Sequence, residues 1–240
     1  MSSFFAALQF LTLFPCPRRM ELSPDAVGRS AIFFPVIGLM LGLILALVNF
    51  LLEPFASAGL LSVILVSILA FVTRGLHLDG VGDTFDGLGA CGDRDRVLSI
   101  MDDSHTGVFG LIAIVLVLFL KIHALESMDV DRWRALLAAP ILGRWAMVLL
   151  GYRSKAAKDG LGSNLIDHLT TKHLLLATFL TLLLVAAILR VSGIVMMAWV
   201  AVFTIASKHY FHRRLGGVTG DTFGAVGELS ETSVMVLLAL

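Results

Sequence analysis

The densest chemistry in this chain is the stretch Gly75-Leu-His-Leu-Asp-Gly-Val-Gly-Asp-Thr-Phe-Asp-Gly87. Asp79, Asp83 and Asp86 stand at i, i+4 and i+7, which on a helix of 3.6 residues per turn places them within about 60° of one another. Three carboxylates on one face repel each other unless a cation sits among them. Mg²⁺ suits such a face, because it prefers oxygen ligands and is usually held by one or two carboxylates together with substrate phosphates. His77 lies two residues before the first acid, and Gly80, Gly82, Gly87 and Gly89 leave room for a bulky ligand or another helix. Any one of these aspartates alone could be a helix cap or turn residue. Three in helical register favour the metal.

Two further stretches carry acids. In Met101-Asp-Asp-Ser-His-Thr-Gly107, Asp102 and Asp103 either join the metal site or serve as first-turn acids favoured by a helix dipole. In Gly216-Gly-Val-Thr-Gly-Asp-Thr-Phe-Gly224, Asp221 precedes Glu228 by seven residues, again one face. Glu228 falls in the first turns of an apolar segment, where an ionisable group is unfavourable and a functional candidate by default. The same holds for Arg144, which must meet either a carboxylate of a neighbouring helix or an anionic ligand. Carboxylates, arginines and Gly-rich backbone together suggest phosphoryl transfer, in which positioning and charge neutralisation provide most of the catalysis. A cation transporter is the competing class. Transporters keep charged groups near the midplane in broken helices, whereas these acids cluster next to loops at one surface.

The elements that hold these residues belong in a membrane. Hydrophobic residues make up 58% of the chain and charged residues 15%, against about 25% charged in a soluble domain. The mean hydropathy of +0.91 agrees. Spanning the hydrocarbon takes about 20 mostly apolar residues, and seven segments qualify: Ser30–Leu52, Ala58–Thr73, Gly107–Leu125, Ala135–Gly151, Leu174–Leu189, Gly193–Phe211 and Ala225–Leu240. The expected fold is therefore an all-α, polytopic transmembrane bundle forming a single domain over 1–240. Phe4–Phe14 is too short to span and reads as an interfacial or re-entrant helix.

Thirteen of the 18 basic residues fall in alternate connections. That bias puts the N-terminus and the loops Arg74–Thr106, Tyr152–His173 and His212–Gly224 in the cytoplasm. Eighteen basic residues balance 18 acidic ones, so there is no nucleic-acid footprint. Cys16 and Cys91 are far apart, in no metal spacing, and read as incidental thiols.

At these motifs the chain resembles the cobalamin synthase family, the adenosylcobinamide-GDP ribazoletransferases. The resemblance runs from Ala7-Leu-Gln-Phe-Leu-Thr-Leu-Phe-Pro-Cys-Pro17 through Phe34-Pro-Val-Ile-Gly38, Gly75–Gly87, Asp93–Met101 and Asp159-Gly-Leu-Gly162 to Gly216–Glu231. It implies an enzyme of the bacterial inner membrane that joins adenosylcobinamide-GDP to α-ribazole or its 5′-phosphate and releases GMP. Asp79, Asp83 and Asp86 would hold Mg²⁺ against the pyrophosphate. Asp221 and Glu228 would complete the site, and one carboxylate or His77 would take the hydroxyl proton. Arg144, Arg94 and Arg96 would offset phosphate charge. Asp103, His105, Gly217 and Thr219 would belong to the substrate-binding loops. His105 stands where the family usually has Arg, so any phosphate contact there would be weaker and pH-dependent. A homo-oligomer is compatible with this reading.

Overall fold

The computed structural model describes residues 2–15, 24–128 and 131–240, so Cys16, Arg18 and Arg19 lie outside the described residues. Among the described residues the chain is helical, with no β-strand. A short α1 (Ser2–Leu11) and α2 (Pro24–Ser30) lead through a tight turn into α3 (Phe34–Leu52), followed by α4 (Ala58–Val72). Two small helices come next, α5 (Leu76–Gly89) and α6 (Arg94–Met101), then the long α7 (Val108–Glu126) and α8 (Arg132–Gly151). The chain ends with α9 (Leu161–His168), α10 (Thr171–Leu189), α11 (Val191–Leu215) and α12 (Gly220–Ala239).

Every one of the seven apolar segments forms a helix. Among the described residues, five helices are long and apolar enough to cross a membrane: Ala26–Leu52, Val108–Glu126, Arg132–Gly151, Thr171–Leu189 and Val191–Leu215. The count is six if α4 and α5, bent by 86° at their junction, form one broken span. The bend has a local cause. Arg74 and Gly75 both adopt left-handed backbone, and the Gly75 N–H reaches back to the Ala70 carbonyl at 2.8 Å, closing α4 as a left-handed helix terminus does. The seventh segment, α12, owes its lower hydropathy to Glu228 and Glu231. Both are buried inside the bundle rather than turned to lipid.

The least apolar of these five helices, α8, is the hub. It packs against α3, α10, α11 and α12, and nearly all of its residues are buried, Arg144 included. Lipid-facing side chains come instead from the outer helices, with Phe179, Leu183, Val195 and Val202 exposed. Gly42 on α3 lies against the Leu136 carbonyl of α8, where a Cβ would sit only 2.7 Å away. Pro140 deprives that same carbonyl of its helical N–H partner. Close approach through small residues is how helices associate where lipid removes the hydrophobic drive.

The hub helix α8 runs antiparallel to both α3 and α12. Gly38 meets Pro140 and Ile141 while Gly42 meets Leu136 and Leu137, and Gly143 meets Gly227 while Gly151 meets Phe223. The start of α12 and the end of α8 therefore share one end of the bundle with α5, α6, α9 and the start of α7. The N-terminal helix docks there too, through a Leu13 N–H bond to the Val72 carbonyl (2.8 Å) and the Arg74 guanidinium on the Gln9 carbonyl (3.0 Å).

Candidate active site

All three motif aspartates lie on α5, outside the five long spanning helices and in the predicted helical register. Gly80 brings them to their partners. A Cβ there would sit 2.6 Å from the Asp221 carbonyl, so α5 and the first turn of α12 touch backbone to backbone. Burial, then the charges of Asp79 and Asp221, push the Asp83 carboxyl up to about 7, with Asp86 adding to the effect and Lys158 opposing it. Carboxylates from the first and third motifs thus form one cluster.

Lys158 offsets the cluster's charge. Its ammonium bonds Asp102 at 2.5 Å and Asp221 at 3.1 Å, joining the second acidic stretch to the third. Burial alone would lower its pKa. The hydrogen bonds to Asp102 and Asp221 outweigh that and hold the proton more tightly than usual. The loop carrying Lys158 is fixed by backbone pairing with the segment before α12, Ala157 N–H to Val218 carbonyl and Val218 N–H to Lys155 carbonyl, both 2.9 Å. Gly217 permits this pairing, since a Cβ would fall 2.3 Å from the Lys155 carbonyl. Arg94 braces the same corner, donating to the carbonyls of Leu215 (2.6 Å) and Ala157 (3.0 Å). Thr219 caps α12, its hydroxyl accepting from the Thr222 N–H at 3.2 Å.

Above the cluster opens a cavity of about 250 Å³. Asp79, His77, Lys158, Asp159 and Asp221 supply its polar wall, and Phe10, Met147, Leu165 and Phe223 its apolar wall. A more open hollow of about 540 Å³ lies on Asn49, Glu53, Arg132 and Trp133. It sits where α3 ends and α8 begins, at the opposite end of the bundle from the acids.

Other candidates stand apart from the cavity. The Asp86 carboxylate accepts the N–H groups of Gly107 (2.7 Å) and Gly110 (2.8 Å), capping α7 from a neighbouring helix. Arg96 is exposed on α6. His105 is exposed beside Asp103, donating its backbone N–H at 3.0 Å and pairing through its ring at 2.7 Å, which holds the Asp103 carboxyl below its ordinary range. Glu228 is not among the cavity walls. It pairs with Lys121 of α7, which also bonds Glu231 at 2.6 Å, and Glu231 in turn pairs with Arg144 of α8. Arg144 reaches the His77 Nδ1 at 3.4 Å. Since a guanidinium only donates, that ring nitrogen carries a lone pair. Two basic and two acidic side chains are thus neutralised inside the bundle, and the chain of contacts ends at a cavity wall.

Lys158 and Lys121 stand outside the residues that the sequence singles out. A lysine in a polar loop or near a helix end looks solvated in sequence. The signal for Lys158 was its place directly before Asp159-Gly-Leu-Gly162. Among the described residues no three His, Cys, Asp or Glu side chains enclose a metal site by themselves.

Comparison with known proteins gives this end of the bundle a context. Residues 3–239 match the family model described as cobalamin-5-phosphate synthase. A Geotalea daltonii protein named adenosylcobinamide-GDP ribazoletransferase is 42% identical over 239 residues, 99% of this chain and 97% of that one. Proteins of the same name from Syntrophobacter fumaroxidans and Klebsiella pneumoniae are 38% and 37% identical, covering 98% and 100% of this chain and 96% and 99% of theirs. No solved structure matches. With a whole-chain family match and near full-length relatives at these identities, the chain belongs to the cobalamin-5-phosphate synthase family, membrane transferases of cobalamin biosynthesis.

Proposed function

We propose that the chain transfers the cobinamide phosphoryl group of adenosylcobinamide-GDP to a hydroxyl of α-ribazole or its 5′-phosphate, releasing GMP. The observation that carries this is the meeting of Asp79 and Asp221 with Lys158 at the polar wall of one cavity, with Asp83 close enough to feel both carboxylates. In the step, a ribose oxygen forms a bond to the phosphorus on the cobinamide side and the bond to the GMP oxygen breaks. GMP leaves with the electron pair, and the hydroxyl proton passes to a carboxylate. Asp83 suits that task, because a base works best with a pKa near the operating pH and this one lies at about 7. Lys158 lies beside the cluster, where its ammonium offsets developing phosphate charge.

The donor set also fits Mg²⁺. Burial and the neighbouring carboxylates raise Asp83, and Mg²⁺ usually shares itself between one or two carboxylates and substrate phosphates. Asp79 and Asp221 would hold it, leaving Asp83 as the base. When bound, the ion neutralises pyrophosphate charge. In this reading the basic end of the bundle faces the cytoplasm of a bacterial inner membrane, where nucleotide substrates are.

Purified protein in nanodiscs, given adenosylcobinamide-GDP, α-ribazole and Mg²⁺, should release GMP in step with formation of the joined corrinoid. GMP release that does not depend on α-ribazole would mean hydrolysis rather than transfer, and would contradict the proposal.

A further inference from the structure

The 250 Å³ cavity divides chemically as a nucleoside does. Carboxylates and Lys158 line one side, and Phe10 of α1, Met147 of α8, Leu165 of α9 and Phe223 of α12 line the other. A corrin nucleotide exceeds this volume several-fold, so only part of it could enter. A ribosylated benzimidazole is small, flat and apolar at its ring and hydroxylated at its sugar. Guanine, the other ring in the reaction, carries hydrogen-bonding groups along its edges that Phe10, Met147, Leu165 and Phe223 leave unpaired, and burying them so is unfavourable. We infer that the cavity seats the nucleoside acceptor, its ring among Phe10, Leu165 and Phe223 and its ribose toward Asp79 and Asp221. This inference rests on the transferase reading above.

The assignment separates the two substrates: the acceptor lies between the small end helices and the bundle, and the corrinoid presents its pyrophosphate at the rim. Holding the hydroxyl beside the acidic cluster supplies the orientation on which in-line transfer depends. Leu165 then becomes a specificity residue, because its buried side chain bounds the space left for the ring.

Steady-state kinetics on the full-length protein in nanodiscs tests this. Leu165→Trp, which fills the cavity, should raise KM for α-ribazole about tenfold or more while KM for adenosylcobinamide-GDP stays within about twofold. Leu165→Ala, which enlarges it, should gain turnover with a naphthimidazole nucleoside that the wild type uses poorly. If the corrinoid KM moves and the α-ribazole KM does not, the cavity holds the guanosine end and the inference is overturned. If Leu165→Trp fails to fold, the Leu165→Ala arm decides alone, and no gain with the larger base overturns it. If the wild type turns over no substrate pair, the transferase reading fails. Equilibrium binding of radiolabelled α-ribazole to wild type and Leu165→Ala then decides the cavity by itself, unchanged affinity counting against the nucleoside assignment.

Discussion

Asp83 carries a folded-state pKa of about 7, against about 3.9 for an unperturbed aspartate. Between those values the folded protein keeps a proton that the unfolded chain has lost. This group's contribution to stability is therefore full below about pH 4 and falls as pH rises through about 7. Magnesium-free protein in detergent should lose melting temperature between pH 5 and pH 8, and Asp83→Asn should flatten that loss. A wild-type profile unaffected by the substitution would mean that Asp83 is not crowded. The register of Asp79, Asp83 and Asp86 was legible from spacing alone. Their separate fates were not, because Asp86 is occupied by two N–H groups 21 and 24 residues downstream. Such a contact depends on how α5 meets α7, which no local pattern in the chain encodes.

At the scale of elements, the helices followed from hydropathy, while their pairing followed from residues that hydropathy treats as noise. Glu228 and Glu231 weaken α12 as an apolar run, yet they lock it to α7 and α8 through Lys121 and Arg144. Removing one partner of a buried pair leaves an uncompensated charge, which costs about 3–5 kcal/mol. Lys121→Met should therefore destabilise strongly, and adding Glu228→Gln should recover part of the loss, as read by thermal unfolding in detergent. If Glu228 serves this lattice rather than the metal, Glu228→Gln and Asp79→Asn should be additive in the free energy of activation. Strong non-additivity would return Glu228 to the acidic cluster. Between α3 and α8, Gly42→Leu would drive a side chain into the Leu136 carbonyl. Overpacking of this kind costs about 1–3 kcal/mol or more, and the melting temperature should fall accordingly.

For the whole molecule, antiparallel packing gathers the three acidic stretches, the cavity and most of the basic loops at one end. Cys91 lies exposed in one of those loops and is a built-in reporter. With Cys16 replaced by Ser, an impermeant thiol reagent should label inverted vesicles and spare spheroplasts. Labelling of spheroplasts would reverse the proposed orientation. That chemistry gathers at this end was readable from where Asp, Gly and Arg fall in the chain. The cavity was not, since its walls come from five helices far apart in sequence. The most direct test of the account is the initial rate of GMP release by Asp83→Asn at saturating Mg²⁺, with folding checked by thermal melting. The account predicts a folded protein whose rate is below about a tenth of wild type, a loss of more than roughly 1.4 kcal/mol. A folded variant that keeps a larger fraction of the rate would contradict the assignment of the chemistry to this cluster.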